Sequence, residues 1–551
     1  KDMQDIEFTV EDGELFILQT RVGKRTVKSA IKIAFDLFQS GTITEEEMLM
    51  RINPKELPQL LHPVISKTSR LQKIGQGLGV SFGACKGLIA LSIEKAIELA
   101  NQNQSVILVR PETTAEDIEG MQVSSGLLTK FGGVTSHAAV VARSLGKTCV
   151  CSANFNIDDG QKLIVFENGT QLTEGSERTI DGESGEIFVG NVVLEEPSGS
   201  KEIDFFLDLI EKHSPNRVRV NADSATDLQK GLSFGAVGIG LCRTEHMLLE
   251  PKKLNLFQKY ILTNNEKHLA EMMKLLKSNF EDILLQLDGK NCLIRLLDPP
   301  LHEFLPNTMT GIEKLAAELG LEEQVVIQKI KDLKEHNPML GFRGSRLGVV
   351  NPEIYNLLID VIFQATAQTN QKGIQPVVQI QAPFIFDLNE FIALKKQYQK
   401  LLYKYKENLA SKCQFGAMLE TPRACLLAHE LATEAEFLSF GSNDLTQMTF
   451  GISRDDSAKF LKIYQNIGII NKDPFVEIDT KGVLKLMQIE VDNARGANPN
   501  ITIGICGEQA ADPTTATICL NELELDYLSV SAYSVLTCML ADVQATLKEK
   551  L

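Results

Sequence analysis

Residues Gly132 to Arg143 read GGVTSHAAVVAR. The two glycines permit a tight turn, Thr135 or Ser136 can cap, and the Ala-Ala-Val-Val-Ala run makes a helix with His137 in its first turn. An imidazole placed there can carry a phosphoryl group. The orphan N–H groups and the positive end of the helix dipole stabilise a phosphate by roughly 0.3–1 kcal/mol. Further along, arginines stand in GLCRTEH (Arg243), IRLLDPP (Arg295) and NPMLGFRG (Arg343), carboxylates in MLETPR (Glu420) and SFGSNDLTQ (Asp444), and a cysteine in GICGE (Cys506). Arginines from separate segments can converge on one small anion. Two hard carboxylates with open positions suit Mg²⁺, which completes its octahedron with water and substrate oxygens. A thiol, with an ordinary pKa of about 8.5, can donate a proton or, as thiolate, take one back. Taken singly, each arginine is more often a surface ion pair and a cysteine more often a small buried hydrophobe.

What makes these residues a set is the elements that carry them. Strand-like apolar runs recur at Val218 to Asn221, Gly238 to Cys242, Cys292 to Leu297, Val377 to Gln381, Gly416 to Glu420, Leu438 to Gly441, Thr502 to Cys506 and Leu528 to Ser531, with helical stretches between them. Buried runs that end in polar residues and alternate with helices are the pattern of parallel strands with crossovers. Eight such units predict an α/β fold with a closed (β/α)₈ TIM-type barrel, whose catalytic groups gather at the C-terminal ends of its strands. Ahead of it, residues 78–195 mix short strands (Gly87 to Ser92, Val106 to Arg110, Lys162 to Phe166, Glu186 to Val189) with helices such as Ile93 to Ala100. The stretch from Asn191 to Lys201 reads as a hinge. Residues 1–77 begin with two strands, Ile6 to Thr9 and Leu15 to Thr20, about a turn at 11–13. A helix from Thr26 to Phe38, a capping box at Thr44 and Glu47, and a linker with Pro54, Pro58 and Pro63 follow. The expected domains are therefore 1–77, 78–195 and 196–551.

With 56 Lys+Arg against 72 Asp+Glu the net charge is −16, which offers no basic footprint for nucleic acid. No apolar run approaches the roughly 20 residues that span a bilayer, so no membrane partner is expected. Ten cysteines without framework spacing fit free thiols in a reducing, cytoplasmic setting.

The string at 132–143 resembles the phosphohistidine signature of the phosphoenolpyruvate (PEP)-utilising enzymes, and Glu436 to Arg454, EFLSFGSNDLTQMTFGISR, follows that family's second signature. The resemblance implies a β/β/α phosphohistidine domain that swivels between distant sites, with His137 as carrier. It implies Cys506 as the general acid and Mg²⁺ on Glu420 and Asp444. Pyruvate or PEP would be held by Arg243, Arg295, Arg343, Glu420, Gly441, Ser442, Asn443 and Asp444. The arginines are expected to make a local positive pocket for a three-carbon phosphate, and the assembly to be a homodimer.

The segment RLLDPPLHEFLP and the opening MQDIEF with LQTRVGKRT look like the branch that turns ATP, phosphate and pyruvate into AMP, diphosphate and PEP. In that branch the opening is the last piece of an ATP-grasp nucleotide domain, and Glu7, Gln19 and Arg21 match its ATP-contacting positions. Most of that domain is absent, so Lys1 is expected to be an interior position of a longer chain. This chain alone would then run only the PEP/pyruvate half-reaction. Two stretches depart from the family pattern: Gly507-Glu508-Gln509-Ala510-Ala511 and Ser531-Ala532-Tyr533-Ser534. Alternative readings are a donor that passes phosphate from PEP to a carrier protein, and a scaffold that has lost catalysis.

Overall fold

The computed structural model describes residues 2–550 apart from 67, 115–116, 135, 159, 190–191, 196–198 and 458–459. Val218–Asn221, Gly238–Arg243, Asn291–Arg295, Val377–Ala382, Cys413–Leu419, Phe437–Gly441, Thr502–Cys506 and Tyr527–Val530 pair in parallel, in chain order, as a closed eight-stranded barrel. The last strand closes on the first through Val218 opposite Leu528 and Val220 opposite Val530. Each run expected from the sequence falls on one of these strands. The fifth starts at Cys413 and ends at Leu419, so Glu420 stands just beyond the strand rather than within it.

Side chains on a strand alternate between its two faces, and here that sorts the barrel into two apolar regions. Leu241, Leu293, Met418, Phe437, Cys506 and Tyr527 pack together inside the barrel. Their neighbours Cys242, Cys292, Ile294, Ala417, Leu419 and Ile505 join the shell between strands and helices. The helices at Val27–Gln39 and Glu45–Met50 belong to that outer shell through Ile31, Met48 and Leu49. Gln544, on the C-terminal helix Val535–Lys550, donates to the carbonyls of Leu49 and Ile52. The expected capping box is present, with Glu47 N–H donating to Thr44 Oγ1 and Thr44 N–H to Glu47 Oε2. Among the described residues no helix is long and apolar enough to cross a membrane.

A second sheet runs in the order Gln72–Gln76, Glu186–Val189, Glu177–Asp181, Ala84–Ala90, Val106–Arg110, Gly126–Thr129, Thr148–Cys151, Leu78–Gly79. Its first strand lies ahead of residue 78. The strand expected at Gly87 to Ser92 is displaced to Ala84–Ala90, because Ser92 is used instead to cap the helix Ile93–Asn101, accepting from Lys95 N–H at 3.1 Å. Ile107, Val109, Leu128 and Val150 fill one face of this sheet. Leu108, Leu127, Cys149 and Cys151 fill the other, under Ala138, Ala139 and Ala142 of the helix His137–Leu145.

Two short segments carry the chain to and from this sheet, and they are zipped together: Val64–Ile65 pairs antiparallel with Leu194–Glu195. The hinge expected between Asn191 and Lys201 lies partly outside the described residues. The N-terminal strands Gln4–Glu11 and Glu14–Val22 form a hairpin about Asp12 and Gly13, both with positive φ (51° and 83°), and all of their residues are exposed.

Candidate active site

Closure of the barrel brings the ends of separate strands to one rim. Arg243 ends the second strand and Arg295 the third, side by side in register. Arg295 Nη1 lies 3.1 Å from Asp298 Oδ2, and its Nη2 reaches Glu245. Arg343 clasps the same Asp298 with two nitrogens, at 3.2 and 2.6 Å, and reaches Asp444 Oδ1 at 3.2 Å. Burial would raise the Asp298 carboxyl, but Arg343 and Arg295 outweigh it and hold it below the usual range. Both arginines, although buried, are pushed up by the carboxylates around them.

Glu420 is buried, and its Oε1 accepts from Phe384 N–H at 2.6 Å. Burial, together with Asp298 and Asp444, raises its carboxyl well above the usual range despite Arg295 and Arg343. Three guanidiniums thus face four carboxylates: Glu245, Asp298, Glu420 and Asp444. The arginines do not make the positive pocket expected of them, since neighbouring acids neutralise two of the three. A divalent cation fits this cluster. Glu420 and Asp444 are hard oxygen donors whose mutual repulsion it would relieve, and Gly441 leaves room where any Cβ would collide with the Glu420 carboxylate. Among the described residues no group of three or more His, Cys, Asp or Glu side chains forms a ready-made metal cage. Mg²⁺ commonly takes only one or two protein carboxylates.

Cys506 ends the seventh strand with its side chain inward, its Sγ 3.4 Å from the Phe440 carbonyl. Burial pushes the thiol up to about 11, against the pull of Arg243 and Arg295. The next residue, Gly507, has φ 120° and no room for a side chain beside the Ser442 hydroxyl. That hydroxyl lies 3.0 Å from the Cys506 carbonyl and 2.7 Å from Gln509 Oε1, and Asn443 Oδ1 accepts from Glu508 N–H at 3.0 Å. Gln509, one of the departures from the family pattern, is fully buried and donates to Thr446 Oγ1 and the Pro474 carbonyl. It ties the loop after Cys506 to the helix Ser442–Phe450.

The helix His137–Leu145 begins at His137, with Ser136 as its cap, accepting from Ala139 N–H at 3.5 Å. Thr135, the other expected cap, lies outside the described residues. His137 Nδ1 is 2.9 Å from Thr113 Oγ1. A cavity of about 2340 Å³ is lined by His137 and Arg143 from this helix and by Arg243, Arg295, Arg343, Asn443, Asp444, Gly507 and Glu508 from the barrel. Arg143 crosses the gap, its Nη2 3.2 Å from Glu508 Oε2. Glu7, Gln19 and Arg21 stand elsewhere, on the exposed hairpin. Glu7 is opposite Gln19 in register, and Arg21 pairs with Asp5 at 2.7 Å.

Sequence reasoning gave no role to Asp298, Glu245, Asp223 or Thr113. Asp298 and Glu245 sit inside the strings quoted for Arg295 and Arg243, so an acid close to an expected arginine was the available signal. Asp223 accepts from Arg243 N–H at 2.6 Å and meets His246 Nδ1 at 2.7 Å. Nothing in the sequence marks Asp223 or Thr113.

Residues 201–545 match the model of the PEP-utilising enzyme, PEP-binding domain, and residues 102–185 that of the PEP-utilising enzyme, mobile domain. Pyruvate, phosphate dikinase of Rhizobium meliloti is 42% identical over 99% of this chain and 62% of its own length. That of Clostridium symbiosum is 40% identical over 100% of this chain and 64% of its own length. The chloroplastic pyruvate, phosphate dikinase of Flaveria pringlei is 40% identical over 99% of this chain and 58% of its own length. The chain thus spans about three fifths of the length of these relatives. With the barrel matched almost throughout, and the His137 helix with half the strands of its sheet matched as well, this chain belongs to the PEP-utilising enzyme family.

Proposed function

We propose that this chain performs the PEP/pyruvate half of the pyruvate, phosphate dikinase reaction, ATP + phosphate + pyruvate to AMP + diphosphate + PEP, through phosphorylated His137. The observation that carries this reading is that the N-terminus of the His137 helix lines the same cavity as the arginine and carboxylate ends of the barrel strands. The half-reaction with ATP and phosphate is proposed for a full-length enzyme of the relatives' kind. In it the hairpin would be the end of an ATP-grasp domain that contacts nucleotide through Glu7, Gln19 and Arg21. The division expected at 1–77, 78–195 and 196–551, with the strand Gln72–Gln76 assigned to the second unit because it pairs within that sheet, a homodimer and a cytoplasmic setting belong to the same proposal.

Glu420 and Asp444 would hold Mg²⁺, which when bound supplies charge neutralisation for the substrate's oxygens. Arg243 and Arg295 stabilise the enolate oxygen and the phosphoryl group in flight, and backbone groups at Gly441, Ser442 and Asn443 hold the carboxylate. Arg343, clasped by Asp298, keeps Asp444 in place beneath them. Thr113 engages His137 Nδ1 at 2.9 Å and orients the imidazole.

In the direction of pyruvate formation, the bond from phosphorus to the PEP enol oxygen breaks as the bond to His137 forms. The electron pair left on the enolate draws the Cys506 proton to C3. A thiol raised to about 11 by burial holds that proton at neutral pH, as a general acid must. Labelled PEP with Mg²⁺ should give an acid-labile phosphoprotein and free pyruvate, both lost in His137→Ala. Absence of labelling in the unaltered chain overturns the proposal.

A further inference from the structure

Three parts of the chain meet at one side chain away from the chemistry. Tyr533 lies in the turn Ala532–Ser534 just after the last barrel strand, within the second stretch that departs from the family pattern. Its ring stacks on His62 of the proline-rich linker, with centroids 4.8 Å apart and planes at 24°. Lys230, from the barrel helix Ala225–Ser233, sets its Nζ over the ring, 3.8 Å from the centroid, and hydrogen-bonds the hydroxyl. Phe234 closes a further side at 6.1 Å.

The remaining face meets the helix that begins with His137. That helix ends at Gly146, in the left-handed conformation with φ 62°. A methyl group on Gly146 would overlap the Tyr533 ring. The helix thus presents bare backbone to the barrel at this point and is seated directly on the aromatic face. One turn earlier, Arg143 is anchored in its own domain by the carbonyls of Val80 and Val134 and reaches Glu508 on the barrel. The helix is nine residues long, about 13 Å at 1.5 Å per residue. A small tilt at its seated end therefore moves His137 across the cavity by an ångström or more.

We propose that Tyr533 is a positioning residue for phosphoryl transfer: it seats the C-terminal end of the helix so that His137 faces the rim of Arg243, Arg295 and Cys506. This rests on the reading of His137 as carrier. Tyr533 touches no reacting atom, so its effect falls on the transfer step and leaves binding at the barrel rim unchanged.

The test uses the whole chain with labelled PEP and Mg²⁺ in single turnovers, and calorimetric binding of oxalate with Mg²⁺ to monitor the rim. Tyr533→Ala should slow labelling of His137 by at least about tenfold, as misplacement of a reacting group does, with oxalate affinity unchanged. Tyr533→Phe, which keeps the ring, should recover most of the rate. Gly146→Ala should slow labelling at least as much. In the double variant its additional effect should vanish, because the ring that the methyl group meets is gone. A backbone-strain effect of Gly146→Ala would instead persist in both backgrounds and overturn the inference. So would Tyr533→Ala transferring at the unaltered rate, or losing oxalate binding along with transfer. Absence of labelling in the unaltered chain would overturn the carrier reading itself and this inference with it.

Discussion

Asp298 satisfies two buried guanidiniums with one carboxylate, and its loss would leave both under-compensated. Breaking a buried ion pair by removing one partner typically costs about 3–5 kcal/mol. Asp298→Asn is therefore expected to lower the unfolding temperature clearly and to reduce turnover. An unchanged melting curve would mean that Glu245 and Asp444 suffice for Arg295 and Arg343. Cys506→Ser removes the proton donor while conserving shape, and pyruvate release should fall by about 10²–10⁴-fold, the usual worth of a positioned acid. A rate within a few-fold of the parent would exclude the thiol from that role. The sequence singled out His137, Cys506, Glu420 and Asp444 because their residue types and neighbours already suggest a chemistry. Asp298 carried only the weak signal of an acid near an arginine, because its contacts exist only once Arg295 and Arg343, 48 positions apart in the chain, arrive at the same rim.

At the scale of elements, the eight barrel strands were legible as apolar runs with polar ends, and the differences were confined to where each begins and ends. Gly126–Thr129, Thr148–Cys151 and Glu177–Asp181 went unread. At four or five residues each, they are too short for alternation to show. The helix His137–Leu145 was legible with its start, but the choice of Ser136 as cap and of Gly146 as its seat on the barrel was not. Ser136→Ala should cost about 1 kcal/mol and fray the first turn, where His137 stands. Slower labelling by PEP with unchanged oxalate binding is the expected signature, and an unchanged labelling rate would show that the turn is held by other contacts.

For the whole molecule, the sequence suggested separate bodies but not how they touch. The contact that joins them contains a histidine. Burial and the nearby Lys230 cation push His62 down to about 4. A histidine depressed in the folded state contributes stability that is present above its ordinary pKa, near 6.5, and is lost as pH falls toward 4. Acidification should therefore weaken this contact through the window from about 6.5 to 4. In His62→Phe the unfolding temperature should depend less on pH across that window, and parallel curves for the two proteins would sink the assignment.

The zipped segments Val64–Ile65 and Leu194–Glu195 have an architectural consequence. They bring the two ends of a unit of well over a hundred residues to within one hydrogen-bond rung of each other, so the chain enters and leaves that unit at a single point, like a cassette. Excising it would leave strand ends that a tight turn can bridge, without a gap to span or a barrel connection to cut. By the same geometry the barrel, packed on its own outer shell of helices, should accept a different passenger between residues 65 and 194.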